Sequence, residues 1–146
     1  MSNIIGFNNA IFWTDDTEIL YCEFSNTDPN AKLESTKAKL YIKAITTLCK
    51  GKAMPFVIDL TETCGTFTTS VAKFIVRNSE LKKLRISESF IIGTTGVKLL
   101  ITLYKKFYDP ATPFRIFADQ NLAQAYSLET KQKYHNSIKK VVEDYK

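Results

Sequence analysis

The sequence predicts an α/β domain of order β-β-α-β-α-β-α-β-α, with a mostly parallel mixed sheet that opens on an antiparallel hairpin. Three observations predict it. Two β-rich runs flank a polar turn near the N-terminal end, and an almost wholly apolar run spans Met54 to Leu60. From there on, short apolar runs alternate with segments of helical periodicity.

The hairpin is read from Asn9-Ala-Ile-Phe-Trp13 and Glu18-Ile-Leu-Tyr-Cys-Glu-Phe24, joined through Asp15-Asp16-Thr17. Alternation in the second run puts Ile19, Tyr21 and Glu23 on one face, and Leu20, Cys22 and Phe24 on the other. Asp28-Pro29 has the chemistry of a helix cap and a first-turn proline. Leu33, Leu40, Tyr41, Ala44, Ile45 and Leu48 then recur at helical spacing, and Gly51 closes the pattern. Met54-Pro-Phe-Val-Ile-Asp-Leu60 reads as a strand buried on both faces, hence central and parallel to a neighbour.

A second helix follows Thr66-Phe-Thr-Thr69, with Val71, Phe74 and Ile75 turned inward. The next strand runs from Ile86 to Gly93, and Thr94-Thr95 precede a helix striped by Val97, Leu100, Ile101, Tyr104, Phe107 and Tyr108. Asp109-Pro110 stops that helix. Phe114-Arg-Ile-Phe117 is the last strand, and Asp119 caps a helix holding Leu122, Ala125 and Tyr126. The segment from Glu129 continues with Tyr134, Ile138, Val141, Val142 and Tyr145 on one helical face. The expected division is thus a domain over 1–128 and an amphipathic helix over 129–146, which belongs to the same domain or to a dimer contact.

A chain of 146 residues, 45% hydrophobic and 24% charged, is the size and composition of one globular domain. No apolar run approaches the ~18 residues of a membrane span, and Met1 to Gly6 lack the features of a signal peptide. Cys22, Cys49 and Cys64 are odd in number and widely spaced, which argues against a disulfide framework. These readings imply a cytoplasmic protein. The net charge of +5 is uneven: residues 1–72 carry 6 basic and 8 acidic side chains, residues 73–146 carry 14 and 7. Scattered lysines on solvated helix faces account for this without a nucleic-acid partner.

Chemistry is sparse. His135 is the single histidine and lies in the polar C-terminal segment, so no Ser/His/Asp, Cys/His or His-rich metal arrangement is expected. No catalytic residue, metal or cofactor is assigned. Cys64 lies in the loop after the central strand, where ligands bind in parallel sheets and where a helix N-terminus can activate a thiol. Asp59 ends that strand and could serve as a base or cap, with Glu62 nearby. Gly93-Thr94-Thr95-Gly96 joins a strand to a helix and could hold an anion, although neither common nucleotide fingerprint is met. Asp59, Cys64, Gly65, Gly93, Thr94, Thr95 and Gly96 are therefore the candidate ligand loop. Thr66, Thr68, Thr69 and Ser70 cluster at a helix start, where they either cap or accept a phosphoryl group favoured by the helix dipole.

The buried strand ending in Asp59-Leu60, the hydroxyl-rich helix start and the strand Phe90-Ile-Ile92 together resemble the STAS fold, also called SpoIIAA-like. Met54-Pro-Phe-Val-Ile-Asp-Leu60 with Gly65-Thr-Phe-Thr68, and Pro113-Phe-Arg-Ile-Phe117, look like small STAS-like proteins of Bacteroidetes. The resemblance covers roughly residues 8–128. It implies a bacterial, non-enzymatic regulatory domain that docks a protein partner. It also implies a phosphoacceptor within Thr66 to Ser70, where the chain reads Cys64-Gly-Thr-Phe-Thr-Thr-Ser70 in place of the family's acidic-Ser-Ser/Thr-x-Gly-Leu signature. A homodimer through Tyr134, Ile138, Val141 and Val142 is one expectation. The alternative is a small-molecule binder, for an anion or a lipid, using a crevice between the loops at 61–68 and 93–96.

Overall fold

The computed structural model describes residues 3–144, and of Asp144 the backbone alone. Six strands form one sheet in sequential order: β1 (Asn3–Gly6), β2 (Ala10–Thr14), β3 (Leu20–Asn26), β4 (Met54–Thr63), β5 (Arg85–Ile91) and β6 (Phe114–Phe117). The first three pair antiparallel and the last four parallel, so the sheet is mixed as the sequence predicts. The helices are α1 (Ser35–Cys49), α2 (Gly65–Arg77), α3 (Ser79–Leu84), α4 (Thr95–Tyr108) and α5 (Gln120–Asp144).

Strands that step one way across a parallel sheet, joined by right-handed crossovers, put their helices on one face. The larger core lies on that face. There Phe12, Phe24, Phe56, Ile58 and Phe90 of the sheet meet Tyr41 of α1, Val71 and Ile75 of α2, Leu81 of α3 and Ile101 of α4. Phe12, Phe24 and Tyr41 pack ring against ring at 5.3–5.9 Å between centroids, mostly edge-on, the geometry that ring quadrupoles favour. After β6 the chain crosses to the opposite face, where α5 covers Ile19, Tyr21, Val57 and Ile91 with Ala123.

The alternation read for β3 holds: Leu20, Cys22 and Phe24 face the larger core and Ile19 and Tyr21 the smaller. The apolar run is β4, hydrogen-bonded to parallel neighbours on both sides.

Several expectations are corrected. The turn at Asp28–Asn30 is closed by its own side chain, which accepts from the Asn30 N–H at 3.0 Å, so α1 begins at Ser35 with Glu34 as its cap. Strand β1 and helix α3 were not anticipated. The boundary expected at residue 129 falls inside α5, one continuous helix of 25 residues. Phe107 and Tyr108, expected inward, are 67% and 45% exposed, while Lys105 is buried in their place. Tyr145, expected on the α5 stripe, lies outside the described residues.

Two details hold α5 to the sheet. Small residues let it lie close: the Ser89 hydroxyl donates to the Ala123 carbonyl at 3.2 Å, and the Ser87 and Thr130 hydroxyls meet at 2.6 Å. The Lys131 ammonium then donates to the Thr17 carbonyl at 2.6 Å, tying the helix to the hairpin turn. From Gln132 to Glu143 every residue is exposed.

Candidate functional site

The carboxyl end of β4 and the start of α2 form a tight corner. Gly65 has φ +58°, and a Cβ there would lie 2.4 Å from the Pro29 carbonyl oxygen, so only glycine fits without movement. The Thr66 N–H donates to that same carbonyl at 2.8 Å, and the Cys64 N–H donates to Asn26 at 3.2 Å. The Cys64 thiol points to the Thr27 carbonyl at 3.0 Å. Residues 26–29 thus close over the helix start and take donors an anion would need. Asp59 lies inside β4 and not at its end; its carboxylate accepts from the N–H and hydroxyl of Thr61, at 2.9 and 2.6 Å, where the register against β3 shifts. Its register neighbour is Glu23, whereas Glu62 stands opposite Ser25. Burial, followed by the charge of Asp59, raises the Glu23 pKa.

The four hydroxyls part company here. Thr68 is buried and donates to Thr63 at 2.8 Å, which closes it to a modifying enzyme in this conformation. Thr69 bonds back to the Gly65 carbonyl at 3.3 Å. Thr66 and Ser70 are half-buried. Ser70 lines a groove of about 440 Å³ with Lys73, Phe74, Arg77 and Asn78.

Gly93, Thr94, Thr95 and Gly96 are all exposed at the start of α4. The first three line a cleft of about 260 Å³ with Lys98, Ile116 and Phe117. Asp59, Cys64 and Gly65 do not line it, so the expected crevice between the loops at 61–68 and 93–96 is not one site. His135 is exposed on α5, its ring 5.9 Å from that of Tyr134. Among the described residues no group of three or more His, Cys, Asp or Glu could hold a metal ion.

Sequence reasoning missed a buried cluster of four charges. Arg85 and Glu88 of β5, Lys105 of α4 and Asp109 just after it are all at most 5% exposed. The Arg85 guanidinium donates to the Ile75 and Val76 carbonyls at 2.7 and 3.0 Å, satisfying the end of α2, and to Asp109 at 3.0 Å. Lys105 donates to Glu88 and, at 3.0 Å, to Asp109. Burial raises the Glu88 pKa, only partly offset by Arg85 and Lys105. Asp109 is buried too, but hydrogen bonds from Thr112, Lys105 and Arg85 outweigh that and hold its carboxyl well below its ordinary range. The two buried cations and two buried anions balance, the condition under which burying charge is tolerable, and the half-exposed Lys82 ammonium reaches Asp109 from the rim at 3.6 Å. The one legible signal was the opposite-charge spacing of Lys105 and Asp109, four apart on a helix.

Two helix faces remain uncovered. On α4, Leu99, Leu103 and Phe107 are 69%, 50% and 67% exposed. On α5, Tyr134, Ile138, Val141 and Val142 are 38–52% exposed and lie beyond the last anchor at Lys131.

Sheet order, parallel crossovers and helix layers define a generic α/β domain with a six-stranded mixed sheet. A family model described as a domain of unknown function (DUF7793) matches residues 12–131, and the chain belongs to that family. No curated protein matches the chain. No solved structure matches it either. No helix among the described residues is long and apolar enough to cross a membrane.

Proposed function

We propose that this domain is a non-catalytic regulatory module of the STAS-like kind, which works by protein docking and pairs with a second copy through the outer half of α5. The observation that carries this reading is the stripe Tyr134, Ile138, Val141 and Val142. Its spacing places four apolar side chains on one helical face, past the last hydrogen bond that ties α5 to the hairpin turn; Tyr134 and Ile138 border a groove with Lys52 and Ala53, and Val141 and Val142 lie further along the helix. A contiguous exposed apolar face of this kind marks an association surface. Native mass spectrometry and light scattering test it. The wild type should be a dimer and the double variant Ile138→Lys, Val142→Lys a monomer with an unchanged melting temperature. A wild type that stays monomeric at every concentration sinks the self-association.

Within the same reading, Ser70 is the hydroxyl best placed for modification, because Lys73 and Arg77 share its groove and would pair with an added phosphoryl group. A second reading, a small-anion binder, draws on the cleft at Gly93, Thr94, Thr95 and Lys98, where a helix start and a lysine favour negative charge. It requires phosphate to raise the melting temperature above that in chloride at equal ionic strength, and Lys98→Ala to abolish the difference.

A further inference from the structure

Leu99, Leu103 and Phe107 recur every four residues, so they follow one another along roughly 12 Å of α4 as a convex ridge. Helix α4 packs against α2, and Arg77 of α2 lies 4.3 Å above the ring of Tyr108 at the end of α4. The ridge therefore sits in a surface shared by both helices. Neither helix contains a carboxylate: Gly65–Arg77 and Thr95–Tyr108 carry Lys73, Arg77, Lys98, Lys105 and Lys106 and no Asp or Glu. Between Glu62 and Asp119 the chain has only three acidic residues, Glu80, Glu88 and Asp109, and the last two are neutralised inside the domain. Lys73, Arg77, Lys98 and Lys106 are all exposed. Part of the positive excess of the second half of the chain is thus carried, without offsetting carboxylates, by α4, which bears the uncovered apolar ridge, and by α2, which packs against it.

We propose that the α2–α4 face docks on an anionic membrane surface, with Leu99, Leu103 and Phe107 entering the headgroup boundary and the exposed cations of the two helices, Lys73, Arg77, Lys98 and Lys106, meeting acidic lipids. Apolar side chains between basic ones on an amphipathic helix face are the chemistry of interfacial binding, and each cation near such a surface strengthens attachment about fivefold. A second copy fits less well here than on α5, because α2 and α4 carry no carboxylate to offset their cations, whereas the sequence of the outer half of α5 includes Glu143 and Asp144 beside its lysines. A lipid interface adapts to protruding side chains and takes the cations of both helices at once. Docking here leaves the α5 stripe free, so it does not depend on the pairing proposed above.

The test is co-sedimentation of the full chain with phosphatidylcholine vesicles, with and without phosphatidylserine. The expected result is binding at least about tenfold tighter to the serine-containing vesicles, weakening steeply with added salt. Lys98→Glu with Lys106→Glu should weaken it by more than about 25-fold. Leu103→Ser with Phe107→Ser should also release the protein, both pairs keeping the wild-type circular dichroism. Lys139→Glu with Lys140→Glu on α5 should weaken binding far less than the α4 pair does. A Phe107→Trp reporter should shift its emission to the blue on vesicle addition. Equal binding to both vesicles, or binding that survives the ridge substitutions, overturns the proposal. So does binding of polyglutamate that depends on the ridge while vesicles stay unbound, which would make the occupant an acidic polypeptide.

Discussion

The Lys105 ammonium is shared between Glu88 and Asp109 inside the domain, with the Phe114 ring 5.3 Å away. Removing one member of such a group strands the others without solvent, which costs about 3–5 kcal/mol. Lys105→Met should therefore lower the stability measured by urea unfolding by that amount. Adding Glu88→Leu leaves Arg85 and Asp109 as a balanced pair at 3.0 Å, so the double variant should lose less than half as much. An equal or larger loss in the double variant would refute the charge-balance account.

The same residues set the response to acid, in opposite senses. Asp109 has a folded-state pKa below its ordinary value of 3.8. Its contribution is therefore full above pH 3.8 and is lost as the pH falls below it. Glu88 has a folded-state pKa above its ordinary value of 4.5, because burial disfavours its charge. Its contribution is full below pH 4.5 and is lost as the pH rises from there through the folded value. Urea midpoints across a pH series should show Glu88→Gln flattening the decline above pH 4.5. They should show Asp109→Asn flattening the loss on the acid side. A Glu88→Gln profile parallel to the wild type above pH 4.5 would exclude Glu88 as its origin.

Among the elements, α2 depends on a single backbone position and α5 on a few contacts near its start. Gly65→Ala meets both an unfavourable φ of +58° and the Pro29 carbonyl 2.4 Å from the new methyl. It should cost about 1–3 kcal/mol by urea unfolding, and a neutral result would show that residues 26–29 can move aside. Helix α5 is anchored through Ala123, Ser127, Thr130 and Lys131. A chain ending at Lys131 should melt within a few degrees of the wild type and fail to dimerise. Loss of folding in that truncation would place essential contacts beyond the anchors.

The elements legible in the sequence were those where one physical pattern dominates. The unbroken run Met54 to Leu60 marks a strand buried on both faces, and alternation in β3 sorts its side chains to two cores. Strand β1 has only Asn3 to Gly6 and sits at a sheet edge, too short for alternation to register. Helix α3 has six residues, and its one signal was Asn78, whose side chain accepts from Leu81 at 3.0 Å. Lys105 was illegible because periodicity assigns charge to solvent, and only tertiary pairing with Glu88 and Asp109 turns it inward. Cys64-Gly65 and Gly93 to Gly96 follow the ends of β4 and β5, whereas Asp59 lies inside β4. The separation of the two loops was not readable, because it depends on how residues 26–29 fold over α2.

At the scale of the whole molecule, the three thiols report on different depths. Burial raises the Cys22 pKa well above its ordinary value and pushes Cys49 up to about 12, while Cys64 is only half-buried. An alkylating reagent at neutral pH should modify Cys64 in the native protein. It should reach Cys22 and Cys49 only at the rate of global opening, rising in step with denaturant. Fast native labelling of Cys22 would mean that the sheet opens locally.

The strand order, in which every strand lies beside its predecessor in sequence, has a consequence for synthesis on the ribosome. Each new strand can join the sheet as it leaves the exit tunnel, with its helix laid on the same side. The opposite side gains its cover only when residues 120–131 emerge. Until then Tyr21, Val57 and Ile91 face solvent, an apolar surface on which a ribosome-associated chaperone would act. A ribosome stalled shortly after β6 would hold a domain with one face finished and the other bare.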